Sequence, residues 1–143
     1  MVTRLTFSLL VPLCFAVVAA GTDREFVYSQ KTGKLTLDGR EIGAGYSGKG
    51  DGKNNPDKEK ERNVGPIPAG LWKVGKAREY KGMKDCFDLT PDGHDAHNRT
   101  EFLIHGDSKD SPGTASEGCI ILNAAARKRI ADSGVTRLRV VRE

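Results

Sequence analysis

A chain of 143 residues is long enough for one hydrophobic core and too short for two comfortable ones. Its 23 Lys and Arg against 19 Asp and Glu leave a formal charge of +4, with both signs mixed along the chain. No basic block interleaved with aromatic residues occurs, which argues against a nucleic-acid partner, whereas a mild positive balance suits an acidic polymer.

Met1 to Arg4 carries one positive charge, Leu5 to Ala20 is almost wholly apolar, and Val18-Ala19-Ala20 has the small-residue pattern of a signal-peptidase site. A transmembrane anchor is the alternative, but the run is short and contains Pro12. A lipoprotein signal at Cys14 lacks small residues in Val11-Pro12-Leu13. The expectation is a cleavable signal over 1–20 and a single domain over 21–143. The protein would then be periplasmic or secreted, monomeric, and without a stable membrane anchor once the signal is removed. Cys86 and Cys119 remain after cleavage; in an oxidising compartment two such cysteines either pair or stay free, and composition does not choose.

From Gly21 onward the apolar runs are short and the punctuation dense, as in a β-rich domain. Glu25 to Gln30 alternates through Phe26 and Tyr28. Lys31-Thr32-Gly33 turns the chain, and Lys34 to Leu37 alternates again, giving a hairpin. Ile42 to Ser47 is expected as a third, Gly-rich strand. The polar stretch Lys49 to Asn63 is a solvated loop or, given its length, a lid. Gly65-Pro66-Ile67-Pro68-Ala69-Gly70 makes a rigid corner. Further strands are expected over Leu71 to Ala77, Cys86 to Leu89, Thr100 to His105 and Thr136 to Val141. One helix is expected, with Asn123 as N-cap, Ala124 to Ala131 as its body and Gly134 as its stop. The fold class is mainly β: a small antiparallel sandwich or barrel-like sheet with one C-terminal helix.

The chemistry concentrates in Phe102 to Leu122. The apolar strand Phe102-Leu103-Ile104 delivers His105 at its end, and a Gly- and Ser-rich loop returns through Ser116-Glu117-Gly118 to Cys119. Cys119 then enters the apolar run Ile120-Ile121-Leu122. A thiol and an imidazole at the ends of two buried strands suit nucleophilic catalysis, because the imidazole raises the reactive thiolate fraction. Gly118 permits close backbone approach, and N–H groups near Gly118 and Cys119 are candidate oxyanion donors. A bridge to Cys86 would silence this nucleophile, so Cys86 is expected as a structural or regulatory thiol.

Histidine-glycine, a loop, then serine-x-glycine-cysteine and an aliphatic residue resembles the active-site signature of L,D-transpeptidases. The chain is most similar to the L,D-transpeptidase-like effectors of type VI secretion systems. The ordered motifs are GYSG at Gly45 to Gly48, Asn54-Asn55-Pro56, GPIPAG at Gly65 to Gly70, HGD at His105 to Asp107, and ASEGCIIL at Ala115 to Leu122. The resemblance spans about Tyr28 to Leu122. It implies that Cys119 attacks the carbonyl of the third stem residue of a peptidoglycan tetrapeptide and expels D-alanine. His105 would act as base and Ser116 would orient the site. Water as acceptor gives L,D-carboxypeptidase activity, a D-amino acid gives exchange, and a second stem gives a crosslink. It implies peptidoglycan stem peptides as substrate, an immunity protein as partner and no cofactor. Classical L,D-transpeptidases carry histidine before the glycine-cysteine pair and arginine or asparagine soon after. Glu117 and Ile120 stand there instead, which weakens crosslinking.

Tyr46, Ser47, Arg99 and Asp107 are secondary candidates for substrate contact, against strand packing for Tyr46 and Ser47, a surface charge for Arg99 and support of the His105 loop for Asp107. His94, His97, Asp95 and Asp107 raise a zinc peptidase as one alternative. The sequence has no HExxH, however, and no metal ligands are assigned. A non-catalytic wall-binding protein bridged through Cys86 and Cys119 is the other alternative.

Overall fold

The computed structural model describes residues 23–143, so the expected signal peptide lies outside the described residues. Ten strands and one helix follow in order: β1 Phe26–Ser29, β2 Lys34–Leu37, β3 Arg40–Ala44, β4 Tyr46–Ser47, β5 Gly70–Val74, β6 Arg78–Tyr80, β7 Met83–Asp92, β8 Phe102–His105, β9 Ile120–Ile121, α1 Ala124–Ser133 and β10 Arg137–Val141. They form one sheet in the order β3-β2-β1-β10-β5-β7-β8-β9-β4, with β6 added on β7. The barrel-like form of the expectation is the one the chain adopts. Most pairings are antiparallel, but β1 with β10 and β8 with β9 run parallel.

The sheet curls because β3 and β4 are consecutive in the chain yet occupy its two ends. The single strand expected over Ile42 to Ser47 breaks at Gly45. A Cβ there would sit 1.7 Å from the Ile121 carbonyl oxygen, so only glycine lets the backbone pass so near β9 while changing partners. Two tight hairpins were not anticipated. Asp38 and Gly39 are both left-handed and join β2 to β3. Lys81 and Gly82, also both left-handed, join β6 to β7. Both have the two-residue geometry whose twist matches that of paired strands.

Inward-facing residues alternate along the strands and meet in one core built on Phe26, Tyr28, Leu35, Trp72, Ile104 and Leu138. Helix α1 covers one side through Ala126 and Ile130. Its ends are as expected: the Asn123 side chain accepts the Ala126 N–H at 2.9 Å, and Gly134 closes the helix at φ +67.

The polar segment 49–63 is not a free lid. It holds two short 3-10 turns, Gly50–Gly52 and Pro56–Lys58, and is tied to the body through Glu59. The Glu59 carboxylate accepts from Gln30 Nε2 at 2.7 Å and from the Ala69 N–H at 3.2 Å. An ion pair to Arg142 and a contact with His97 at 3.4 Å add to this anchorage.

Candidate active site

The parallel pairing of β8 with β9 sets Ile104 beside Ile120 and His105 beside Ile121, so Cys119, one residue before β9, comes level with Leu103 and two residues short of His105. Cys119 and His105 line one cavity of about 1030 Å³, together with Tyr80, Lys81, Glu101 and Glu117.

His105 is buried, and its Nδ1 lies 2.7 Å from the Gly106 carbonyl oxygen. A carbonyl can only accept, so Nδ1 carries the proton and Nε2 keeps a free lone pair. Tyr80 packs against the imidazole at 5.3 Å between ring centres. Burial first, and then the positive charges of Lys81 and Arg127, push the His105 pKa below its ordinary 6.5. The ring is therefore neutral near pH 7 and available as a base.

The Cys119 thiol is held 3.6 Å from the Glu101 carbonyl oxygen. Burial pushes its pKa upward, the charges of Glu117 and Glu101 add to that, and the Leu103 N–H and Lys81 oppose it. Thiol and imidazole are thus each neutral near pH 7, not a standing ion pair.

Ser116 organises the turn into Cys119. Fully buried, its Oγ accepts the Gly48 N–H at 2.8 Å and the Gly118 N–H at 3.1 Å, and donates to the Cys119 carbonyl at 2.6 Å. The Gly118 N–H is thereby taken up and is not turned to a reacting carbonyl, contrary to the oxyanion expectation for that residue. Gly118 matters for space instead. At φ +138, a Cβ would lie 2.6 Å from Arg99 Nη2 and 3.0 Å from the Phe102 ring.

A family model for the Tlde1 domain matches residues 41–142. The chain belongs to the Tlde1 domain family. This is the family of type VI secretion L,D-transpeptidase effectors, and membership carries peptidoglycan modification as the coarse function. No curated protein matches the chain.

Three of the secondary candidates serve the Tlde1 domain from behind the cavity rather than inside it. Ser47 is fully buried; its hydroxyl donates to the Gly118 carbonyl at 3.0 Å and accepts the Ile67 N–H at 2.8 Å. The Tyr46 hydroxyl donates to Asp107 at 2.6 Å and accepts the Ala115 N–H at 2.9 Å. Burial and the neighbouring carboxylate raise the Tyr46 pKa to about 12. Arg99 is neither a surface charge nor turned to substrate. It is 6% exposed, and its guanidinium donates to the carbonyls of Glu59, Gly65, Pro66 and Glu117 at 2.6–3.0 Å. It fastens segment 59–66 to the loop that carries Cys119.

Asp107 lines the cavity mouth and closes its own loop. It accepts from Tyr46, from the Ser108 N–H at 2.8 Å and from the Gly113 N–H at 2.9 Å. Burial opposes its charge, but these donors outweigh it and hold the carboxyl below its ordinary range.

His94 and His97 lie outside the cavity lining. His94 Nε2 meets the Leu71 carbonyl at 2.8 Å and Nδ1 accepts the Ala96 N–H at 3.1 Å, so both ring nitrogens are engaged. His97 faces Glu59 at 3.4 Å. Cys86 and Cys119 are both free thiols, with strand β8 running between the strands that carry them.

Sequence reasoning missed the cavity wall made by Tyr80, Lys81 and Met83. The one signal for it was Gly82, a turn residue directly after Lys81.

Proposed function

We propose that this Tlde1 domain is a cysteine enzyme that removes or exchanges the terminal D-alanine of peptidoglycan tetrapeptide stems. The observation that carries the reading is a thiol and a neutral imidazole with a free Nε2 in one open cavity. In this mechanism Cys119 turns from the Glu101 carbonyl toward the imidazole as substrate binds. His105 Nε2 takes the thiol proton while Sγ forms a bond to the carbonyl carbon of the third stem residue. With the Gly118 N–H held by Ser116, the oxyanion falls to the Cys119 N–H. The C–N bond then breaks, and the leaving amine of D-alanine takes the proton from His105. Water or a D-amino acid gives its proton to His105 as it attacks the thioester, which restores the thiol.

Carboxypeptidase or exchange activity fits better than crosslinking, because Glu117 and Ile120 stand where classical crosslinking enzymes carry histidine and arginine or asparagine. Action at the cell wall requires an extracytoplasmic location, which the apolar segment 1–20 would provide. The type VI family also fits an immunity protein as partner.

The test is incubation of the protein with purified disaccharide-tetrapeptide, with and without a D-amino acid, followed by mass spectrometry. Loss of D-alanine, or its replacement, is expected for the unaltered chain. Cys119→Ala should abolish it, and His105→Gln should slow it by at least about a hundredfold. An unchanged tetrapeptide under reducing conditions, or turnover that survives Cys119→Ala, would refute the mechanism.

A further inference from the structure

One cation on the cavity wall makes no ion pair in the fold and enters the chemistry above only through its charge. Lys81 is exposed at the tip of the β6–β7 hairpin, with φ +48. Lysine is uncommon in left-handed backbone, and asparagine or glycine would make the same turn with less strain. Its Nζ lies 5.2 Å from the centre of the Tyr80 ring, and that ring packs against His105. The ammonium is therefore held along the wall that leads to the imidazole.

The other charges facing the cavity are differently placed. Arg78 is bound through two nitrogens to Asp88, each at 2.8 Å. Asp107 closes its own loop, and Glu117 faces Lys49 at 3.7 Å. Glu101 stands at the thiol end, where its carbonyl meets Cys119. Among the described residues lining the cavity, Lys81 is the cation without a carboxylate partner.

We infer that Lys81 binds the free α-carboxylate of the substrate's terminal residue, so that the cavity accepts a peptide chain end rather than an internal bond. The inference rests on the thiol reading for the placing of the scissile bond. His105 protonates the leaving amine, so the departing residue lies on the imidazole side of Cys119. Its carboxylate, two bonds beyond that amine, then projects along the Tyr80 wall toward the hairpin tip. An ammonium there is complementary to it, while acidic side chains flank the opposite, thiol end.

The experiment measures binding rather than turnover. Full-length protein carrying Cys119→Ala is titrated calorimetrically with the tetrapeptide as free acid and as C-terminal amide. The acid should bind about tenfold more tightly, the scale of one charge-assisted contact at a partly open site. Adding Lys81→Asn, which suits the left-handed turn but removes the charge, should bring the two affinities within about twofold; Lys81→Arg should keep the preference. Equal affinities in the Cys119→Ala protein, no binding of either peptide, or a preference that survives Lys81→Asn would each overturn the inference. A clear acid preference in a protein whose Cys119 never releases D-alanine would leave this carboxylate site standing and refute the thiol chemistry instead.

Discussion

In the proposed mechanism His105 has to be unprotonated to accept the thiol proton, and its surroundings favour that state. Because burial, Lys81 and Arg127 lower its pKa, the acid limb of the kcat/KM profile should lie below pH 6.5. A limb at or above 6.5 would contradict the neutral pair. The sign for Cys119 is the reverse: a raised pKa means that alkylation by iodoacetamide should climb steadily toward alkaline pH, with no plateau near pH 6 of the kind a standing thiolate–imidazolium pair produces. Both members of the proposed thiol–imidazole pair could be picked out in the sequence, because His105 closes an apolar run and Cys119 opens one, each beside a glycine. The roles of Arg99 and Ser47 were not. The Arg99 carbonyl partners lie 18 to 40 residues away, and the two partners of the Ser47 hydroxyl lie 20 and 71 residues away. Such contacts exist only after the chain has folded.

Segment 59–66 and the Cys119 loop are separate elements joined through one guanidinium. Arg99→Met removes that cation and leaves four carbonyls to find other donors in a buried place. The expected cost is about 3 kcal/mol of stability, read as a lowered denaturant midpoint. Hydrogen exchange should show faster opening in segments 59–66 and 116–119 before the rest of the sheet. Uniform loosening, or no loss of stability, would contradict the fastening role. At this scale the helix was legible through its Asn123 and Gly134 caps, and most strands through their alternation. Ile42 to Ser47 misled because alternation continues across Gly45, while the change of partner there is set by β9, more than seventy residues later. Strand β6 was missed because its three residues are mostly exposed and carry no apolar period.

For the molecule as a whole, the sheet keeps the two free thiols of the described residues in different surroundings. Cys86 is fully buried on β7, while Cys119 opens to the cavity, with β8 between their strands. In a chain beginning at Gly21, a disulfide-forming thiol reagent should modify one cysteine under native conditions and two in denaturant, with Cys119→Ala removing the native one. Mild oxidation should not join Cys86 to Cys119 within one folded chain, and an intramolecular bridge found by peptide mapping would contradict the sheet order. The chain also holds a single tryptophan, and Trp72 sits in the core, edge-on to Phe102 at 4.9 Å and to His94 at 5.0 Å. Phe102 in turn borders the space beside Gly118. Tryptophan fluorescence, excited selectively over the three tyrosines, therefore comes from one position just behind the strand that carries His105. A spectroscopist can follow both the collapse of the barrel and small shifts of the cysteine turn from that native emitter, without attaching a dye.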